Sequence, residues 1–184
     1  MNEVAEHLTT NVLPSVATRQ WVLSLPYSLR YRLAYDRKLV GPVLGAFIKS
    51  VFASQRRRIK SRYAVAKHVN LQPGAVTLIQ RFGGAINLNV HFHTLVLDGL
   101  YAIDHKTGTI DFLPLPAPTH EEVLAVLTDT ARRIARTLEA RGLGEDRDAD
   151  EGDPLARDSP LLARLCRYTA RPERELASAR PTLQ

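Results

Sequence analysis

Two histidines stand two residues apart, His91 and His93, inside an otherwise apolar run from Leu88 to Leu97 that closes on Asp98-Gly99. Its richness in Leu and Val, with an Asp-Gly turn at the end, predicts a buried β-strand. Successive strand side chains alternate faces, so His91 and His93 point together while Phe92 points the other way. Burying two polar rings in so apolar a strand costs free energy unless both are satisfied. Two readings are open: a pair of histidines hydrogen-bonded inside a core, or the first two donors of a divalent-metal site on a stiff platform. The second needs a further oxygen or nitrogen donor from elsewhere in the chain. Gln80 on the preceding strand and Asp98 at the end of the histidine strand are the candidates, with Gln80 preferred because an Asp before Gly commonly forms a turn.

A strand of this kind must be paired, and the flanking sequence offers further strands. Gln20-Trp21-Val22-Leu23-Ser24-Leu25-Pro26 alternates apolar and polar residues and is stopped by its proline, with Trp21 assigned to the core. Gly74 to Phe82, followed by Gly83-Gly84, predicts an antiparallel neighbour of the histidine strand, carrying Val76, Leu78 and Gln80 on alternating positions. Leu100–Ile103 and Thr109–Leu113 flank His105-Lys106-Thr107-Gly108 and predict a hairpin. Apolar residues spaced by three and four from Lys38 to Arg62 predict one long helix. Thr119-x-x-Glu122 is a capping box for a second, Glu121 to Ala140, with Val123, Leu124, Leu127, Ile134 and Leu138 turned inward and Gly142 as its stop. A short helix ended by Pro14 is expected over residues 2–13. The fold class is α+β: a central antiparallel sheet with helices packed on it.

The domain organisation follows from composition. Residues 1–144 form the core, and 145–158, with seven acids and little to bury, form an acidic linker. Residues 159–172 are a short helix carrying Leu161, Leu162, Leu165, Cys166 and Tyr168, and 173–184 have no periodic pattern. With 25 Lys+Arg against 19 Asp+Glu the net charge is +6, which favours polyanionic partners, nucleic acid first. Arg56, Arg57, Arg58, Lys60 and Arg62, with Lys67 beyond, are compatible with a solvated helix end, but so uncompensated a cluster equally suits phosphate contacts and is assigned to DNA binding. One cysteine excludes a cysteine-rich zinc module within these residues and suits a reducing compartment. With no signal-peptide pattern and no membrane span, the expected location is cytoplasmic and no membrane partner is expected. His7, His68, His105 and His120 fall near element ends and are expected in solvent.

A metal held by two histidines in a basic protein points to phosphodiester chemistry, because such an ion can polarise a phosphoryl oxygen. There is no Walker loop, no Gly-x-Ser-x-Gly and no carboxylate cluster near the histidines. A tyrosine can supply the nucleophile, conserving the bond energy as a phosphotyrosine, although its pKa of about 10 calls for assistance. Tyr168 competes with Tyr27, Tyr31, Tyr35, Tyr63 and Tyr101 for that role, and local sequence does not choose among them.

The stretch Gln20-Trp-Val-Leu-Ser-Leu-Pro26, the block Val76-Thr-Leu-Ile-Gln-Arg-Phe-Gly-Gly84, the run Leu88–Gly99 and the late Leu165-Cys-Arg-Tyr-Thr-Ala-Arg-Pro172 together resemble the catalytic region of rolling-circle transposases of the insertion sequence ninety-one family. These belong to the histidine-hydrophobic-histidine (HUH) nuclease class. The resemblance covers roughly residues 1 to 172, with the motifs in the family's order. It implies an HUH-nuclease-like fold, with the histidine pair on the middle strand and the tyrosine helix over it. It implies Mg²⁺ or Mn²⁺ as cofactor and single-stranded DNA at insertion-sequence ends as substrate. His91 and His93 match the metal ligands, and Tyr168 matches the nucleophile that stays on the 5′ end and frees a 3′ hydroxyl. The two-tyrosine members carry Tyr-x-x-x-Tyr, and here the upstream place is Arg164, so the chain resembles a one-tyrosine variant. Family members usually also carry an N-terminal cysteine-rich zinc module and further sequence after the tyrosine helix, so a separately encoded zinc module is an expected partner. Two alternatives stand beside the nicking transposase: a catalytically inactive remnant that only binds DNA, through Arg56–Arg62 and Arg132–Arg136, and a small β-barrel hydrolase using His-x-His. The two long helices argue against the last.

Overall fold

The computed structural model describes residues 6–12, 14–82 and 88–143. The expected acidic linker, tyrosine helix and tail, and with them Tyr168, Cys166 and Arg164, lie outside the described residues. After a π-helical turn at Leu8–Val12 the order is β1 (Thr18–Ser24), α1 (Tyr27–Tyr35), α2 (Arg37–Arg62), β2 (Val69–Gln72), β3 (Ala75–Phe82), β4 (Leu88–Leu97), β5 (Gly99–Asp104), β6 (Ile110–Pro114) and α3 (His120–Glu139). The fold is α+β. Its strands form two antiparallel three-stranded sheets, β1-β4-β3 and β2-β5-β6, with helices packed on them.

The histidine strand is the middle strand of the first sheet, paired with β1 from Ser24↔His91 to Thr18↔Leu97 and with β3 from Gln80↔His91 to Ala75↔Val96. Its even-numbered residues enter the main core. Val90, Phe92 and Val96 pack there with Leu23, Leu25, Leu29, Leu33, Val43, Phe47, Val51, Ile134 and Leu138. Thr94 is wholly buried among them, and its hydroxyl is satisfied by the Thr77 hydroxyl at 2.9 Å, as a buried polar group requires. Trp21 packs against the same core, as its spacing predicts.

The long helix predicted from Lys38 is α2, capped by Asp36, whose carboxylate accepts from the Lys38 amide at 3.0 Å. Pro42 lies inside it and removes the hydrogen bond that the Lys38 carbonyl would receive. The Arg141 guanidinium donates to that carbonyl at 3.0 Å. At the far end of α2, Ile59 joins Leu71, Leu100 and Leu115 in a second, smaller core under the β2-β5-β6 sheet. Both strands of the predicted hairpin are present as β5 and β6.

The capping box of α3 is formed: Thr119 Oγ1 accepts from the Glu122 amide, and Glu122 Oε2 accepts from the Thr119 amide at 2.8 Å. Gly142, at φ +70°, ends the helix with bonds from the Gly142 amide to the Glu139 carbonyl and from the Leu143 amide to the Leu138 carbonyl. The inward face differs from expectation at its start. Val123 and Leu124 are exposed, and burial begins at Val126 and continues through Thr130, Ala131, Ile134, Ala135 and Leu138. The reason is that the first turn of α3 meets α2 through an ion pair, Arg58 to Glu122 at 2.8 Å, rather than through apolar side chains. Two elements, α1 and the four-residue β2, are additional to those the sequence predicts.

Candidate metal centre

Directly opposed residues of an antiparallel pair share a face. The register therefore sets His91, His93 and Leu95 of β4 beside Ser24, Val22 and Gln20 of β1 and beside Gln80, Leu78 and Val76 of β3. This face is open: Val22 and Leu78, which flank His93, are each 52% exposed, and Gln20, Ser24 and Gln80 are exposed as well. His91 and His93 are half-buried in its centre, with ring centroids 4.8 Å apart and planes inclined at 63°. The histidines thus point away from the core that receives Phe92, as the alternation predicts.

Each imidazole has an assigned partner that determines which nitrogen is left for other chemistry. His91 Nδ1 lies 2.6 Å from the Asn89 carbonyl, which can only accept, so Nδ1 carries the proton and Nε2 keeps its lone pair. Asn89 is held in turn by α1, where Arg30 Nη1 donates to Asn89 Oδ1 at 2.8 Å. His93 Nδ1 lies 2.7 Å from Gln20 Nε2, so the amide donates and Nδ1 accepts. In that arrangement the His93 proton sits on Nε2. Turning the Gln20 amide to present Oε1 moves the proton to Nδ1 and frees the Nε2 lone pair, a small rearrangement of an exposed side chain.

Of the two candidates for a third donor, Gln80 stands directly opposite His91. Its Nε2 donates to the Phe82 carbonyl at 3.1 Å, which leaves Oε1 for another contact. Asp98 is engaged elsewhere: Arg19 Nε and Nη2 bind its two oxygens at 3.0 and 2.9 Å. It is also five residues beyond His93, about 17 Å along a strand. Among the described residues no third His, Cys, Asp or Glu joins the pair. The set that can hold an ion is therefore two imidazoles and an amide oxygen, a mixed nitrogen and oxygen set that suits Mn²⁺ better than the oxygen-preferring Mg²⁺. Sequence reasoning did not identify Gln20, Asn89 and Arg30 as supporting residues. The alternation of β1 puts Gln20 on the face away from Trp21 and Leu23 but does not set it beside His93, and the other two depend on a helix that the sequence does not announce.

The predicted phosphate contacts divide. Arg57, Lys60 and Arg62 are exposed at the end of α2, and neither they nor the half-buried Arg56 meet a carboxylate among the described residues. Arg58 instead spans α2 and α3, pairing with Glu122 and donating to the Pro116 carbonyl at 2.7 Å. On α3, Arg133 and Arg132 pair with Asp129 at 2.8 and 3.6 Å. Burial, the largest single influence, raises the Asp129 pKa, but the hydrogen bonds from Arg133 and Ser50 and the charges of Arg133 and Arg132 together outweigh it, so the carboxyl is held below its ordinary value. His7, His68, His105 and His120 are exposed. No helix among the described residues is long and apolar enough to cross a membrane.

No curated protein and no solved structure matches the chain. The sequence model of a transposase family, described as "Putative transposase", matches residues 74–173, more than half of the 184. That span begins just before β3 and takes in the histidine strand with Gln80 opposite it, the second hairpin and α3. On that match, the chain belongs to this transposase family, and its role is in DNA transposition.

Proposed function

We propose that the chain is the catalytic core of a rolling-circle transposase that nicks and transfers single-stranded DNA at insertion-sequence ends. The observation that carries this reading is the pair of half-buried imidazoles side by side on the open face of the central strand, with Gln80 opposite. His91, His93 and Gln80 would hold Mn²⁺ or Mg²⁺, which when bound offsets the charge that develops on the scissile phosphate. The Tyr168 hydroxyl attacks phosphorus and loses its proton. The bond to the 3′ oxygen breaks, that oxygen takes up a proton, and the 5′ phosphate remains on the tyrosine. Arg56, Arg57, Lys60 and Arg62 hold the DNA backbone by charge, so binding weakens as salt rises.

Incubating the full chain with labelled single-stranded DNA and Mn²⁺ tests the proposal. A covalent adduct is expected, lost in Tyr168→Phe and in His91→Ala/His93→Ala. An adduct that survives Tyr168→Phe removes this tyrosine from the mechanism. A second reading, a remnant that binds DNA without cutting it, rests on Arg164 standing where two-tyrosine members carry a tyrosine. It expects binding with no adduct in the wild-type chain.

A further inference from the structure

The chain from residue 37 to 97 contains ten Lys and Arg and not one Asp or Glu. The cations are not spread evenly over the surface this segment makes. Where α2 ends and the chain turns into β2 there is a cleft of about 360 Å³ lined by Lys60, Val65, Ala66, Lys67, Val69 and Leu71. The packing beneath it is firm: Leu71 and Ile59, the neighbour of Lys60, are buried together with Leu100 and Leu115, and Val65 packs on the same cluster. Lys60 and Lys67 are exposed and take no carboxylate partner among the described residues. The nearest acid in register is Asp104, opposite Val69. It is already engaged by His68 at 3.3 Å and by the Lys106 and Thr107 amides of its own turn.

An apolar floor under two unpaired ammonium groups suits an amphiphilic anion with a flat apolar part, which is the chemistry of a nucleotide. The volume is at the small end of ligand sites, roughly 300–1,000 Å³, enough for one nucleotide and not for a duplex. Among the described residues β2 pairs only with β5, so its outer edge offers backbone donors and acceptors to the polar edge of a base. In a single strand a base can leave its stack for such a floor without breaking a base pair. Leu71 is paired with Ala102, nine residues along the continuing strand path from His93, so cleft and histidine pair lie at most about 30 Å apart along it.

We propose that this cleft is a single-strand subsite remote from the histidine pair, in which Lys60 and Lys67 contact backbone phosphate and Val65, Val69 and Leu71 receive one unstacked base. The proposal rests on the preceding reading for the substrate, single-stranded DNA, and for Lys60 as a phosphate contact. The test is fluorescence anisotropy of metal-free full-length protein with an oligothymidine long enough to reach both sites, and with a duplex of equal length, across a salt series. Each phosphate contact in a single strand contributes about 0.7 to the slope of log affinity against log salt. Lys60→Ala/Lys67→Ala should therefore flatten the slope by about 1.4, so that over a fourfold rise in salt the variant loses about sevenfold less affinity than the wild type. Val69→Phe fills the floor without touching charge, and it should weaken the single strand several-fold while leaving the slope and the duplex affinity unchanged. An unaltered slope in the lysine variant overturns the proposal, and so does a Val69→Phe loss shared equally by the duplex. Metal-free protein forms no adduct, so either result is independent of whether Tyr168 attacks phosphorus.

Discussion

The β1-β4-β3 sheet and the β2-β5-β6 sheet lie on one nearly continuous strand path, from Leu88 through the bend at Asp98 to Asp104, and they use it differently. In the first, the odd-numbered residues put two imidazoles on an open face, beside two glutamines and two half-exposed aliphatic side chains from the neighbouring strands. In the β5-β6 hairpin of the second, the polar side chains are consumed locally. Asp104 closes its own turn, Tyr63 donates to the Pro114 carbonyl at 2.7 Å, and Tyr101 stacks obliquely on Phe112 with centroids 5.1 Å apart. Gly99 sits so close to β6 that a Cβ there would lie 2.4 Å from the Leu113 carbonyl oxygen and 2.5 Å from the Phe112 ring. The contrast teaches that one strand path can carry donors left unused by the fold at one end and a self-satisfied hairpin at the other. Chemistry is expected where the polar atoms are left over.

The largest test of that division is within β4 itself. Phe92→Ala removes the largest wholly buried side chain of the core and should cost about 3–5 kcal/mol in urea unfolding, whereas Leu78→Thr on the open face should stay within about 0.5 kcal/mol. Equal losses would mean that the open face is not open. Next in size, Gly99→Ala should lower the stability of the hairpin by about 1–3 kcal/mol, because the added methyl meets backbone and ring rather than a flexible tip. Native-state hydrogen exchange should show the loss concentrated in β5 and β6, and a loss spread evenly over both sheets would erase the distinction between them.

A smaller effect separates support from structure on the first sheet. Gln20→Ala should weaken Mn²⁺ binding about tenfold in calorimetric titration, since the amide orients His93, while leaving the thermal midpoint unchanged. Unaltered affinity would mean that His93 orients itself. The smallest effect belongs to the second sheet. The Asp104 carboxyl is held below its ordinary 3.8 mainly by the Lys106 amide, with His68 adding to it, so its contribution is present above that pH and fades as acid protonates the folded form. Asp104→Asn should therefore melt slightly below the wild type at neutral pH, with the gap closing below pH 3.8. A gap that persists in acid would mean that the carboxylate charge is not what holds the turn.

Much of this organisation was legible in the residues. The histidine strand, its two antiparallel neighbours, the long helix ending in Arg62 and the capping box at Thr119 all carry local signals strong enough to place them. α1 does not. Its buried residues Leu29, Tyr31 and Leu33 alternate with Arg30 and Arg32, the period of a strand, because the short helix has side chains buried on more than one side. β2 is four residues long and mixes Asn and Gln with its Val and Leu, too little for a pattern. Within the candidate site, the histidine spacing was sufficient to bring two rings to one face, and Gln80 followed from the strand before it. The orienting contacts from Gln20 and Asn89 depend on pairing register and on α1, neither of which spacing encodes. Val123 and Leu124 follow the apolar stripe of α3 but lie beyond the reach of the core, since a stripe records periodicity and not the length of the surface it meets.

The alternation along β4 has one more consequence, for how the chain is threaded during folding. Slipping that strand by a single residue against its two neighbours would drive both imidazoles into oil and turn Phe92 out to water on the same stroke. A misthreaded molecule would thus be inert and sticky together, so the cell's machinery for culling greasy chains would also remove the ones unable to hold an ion.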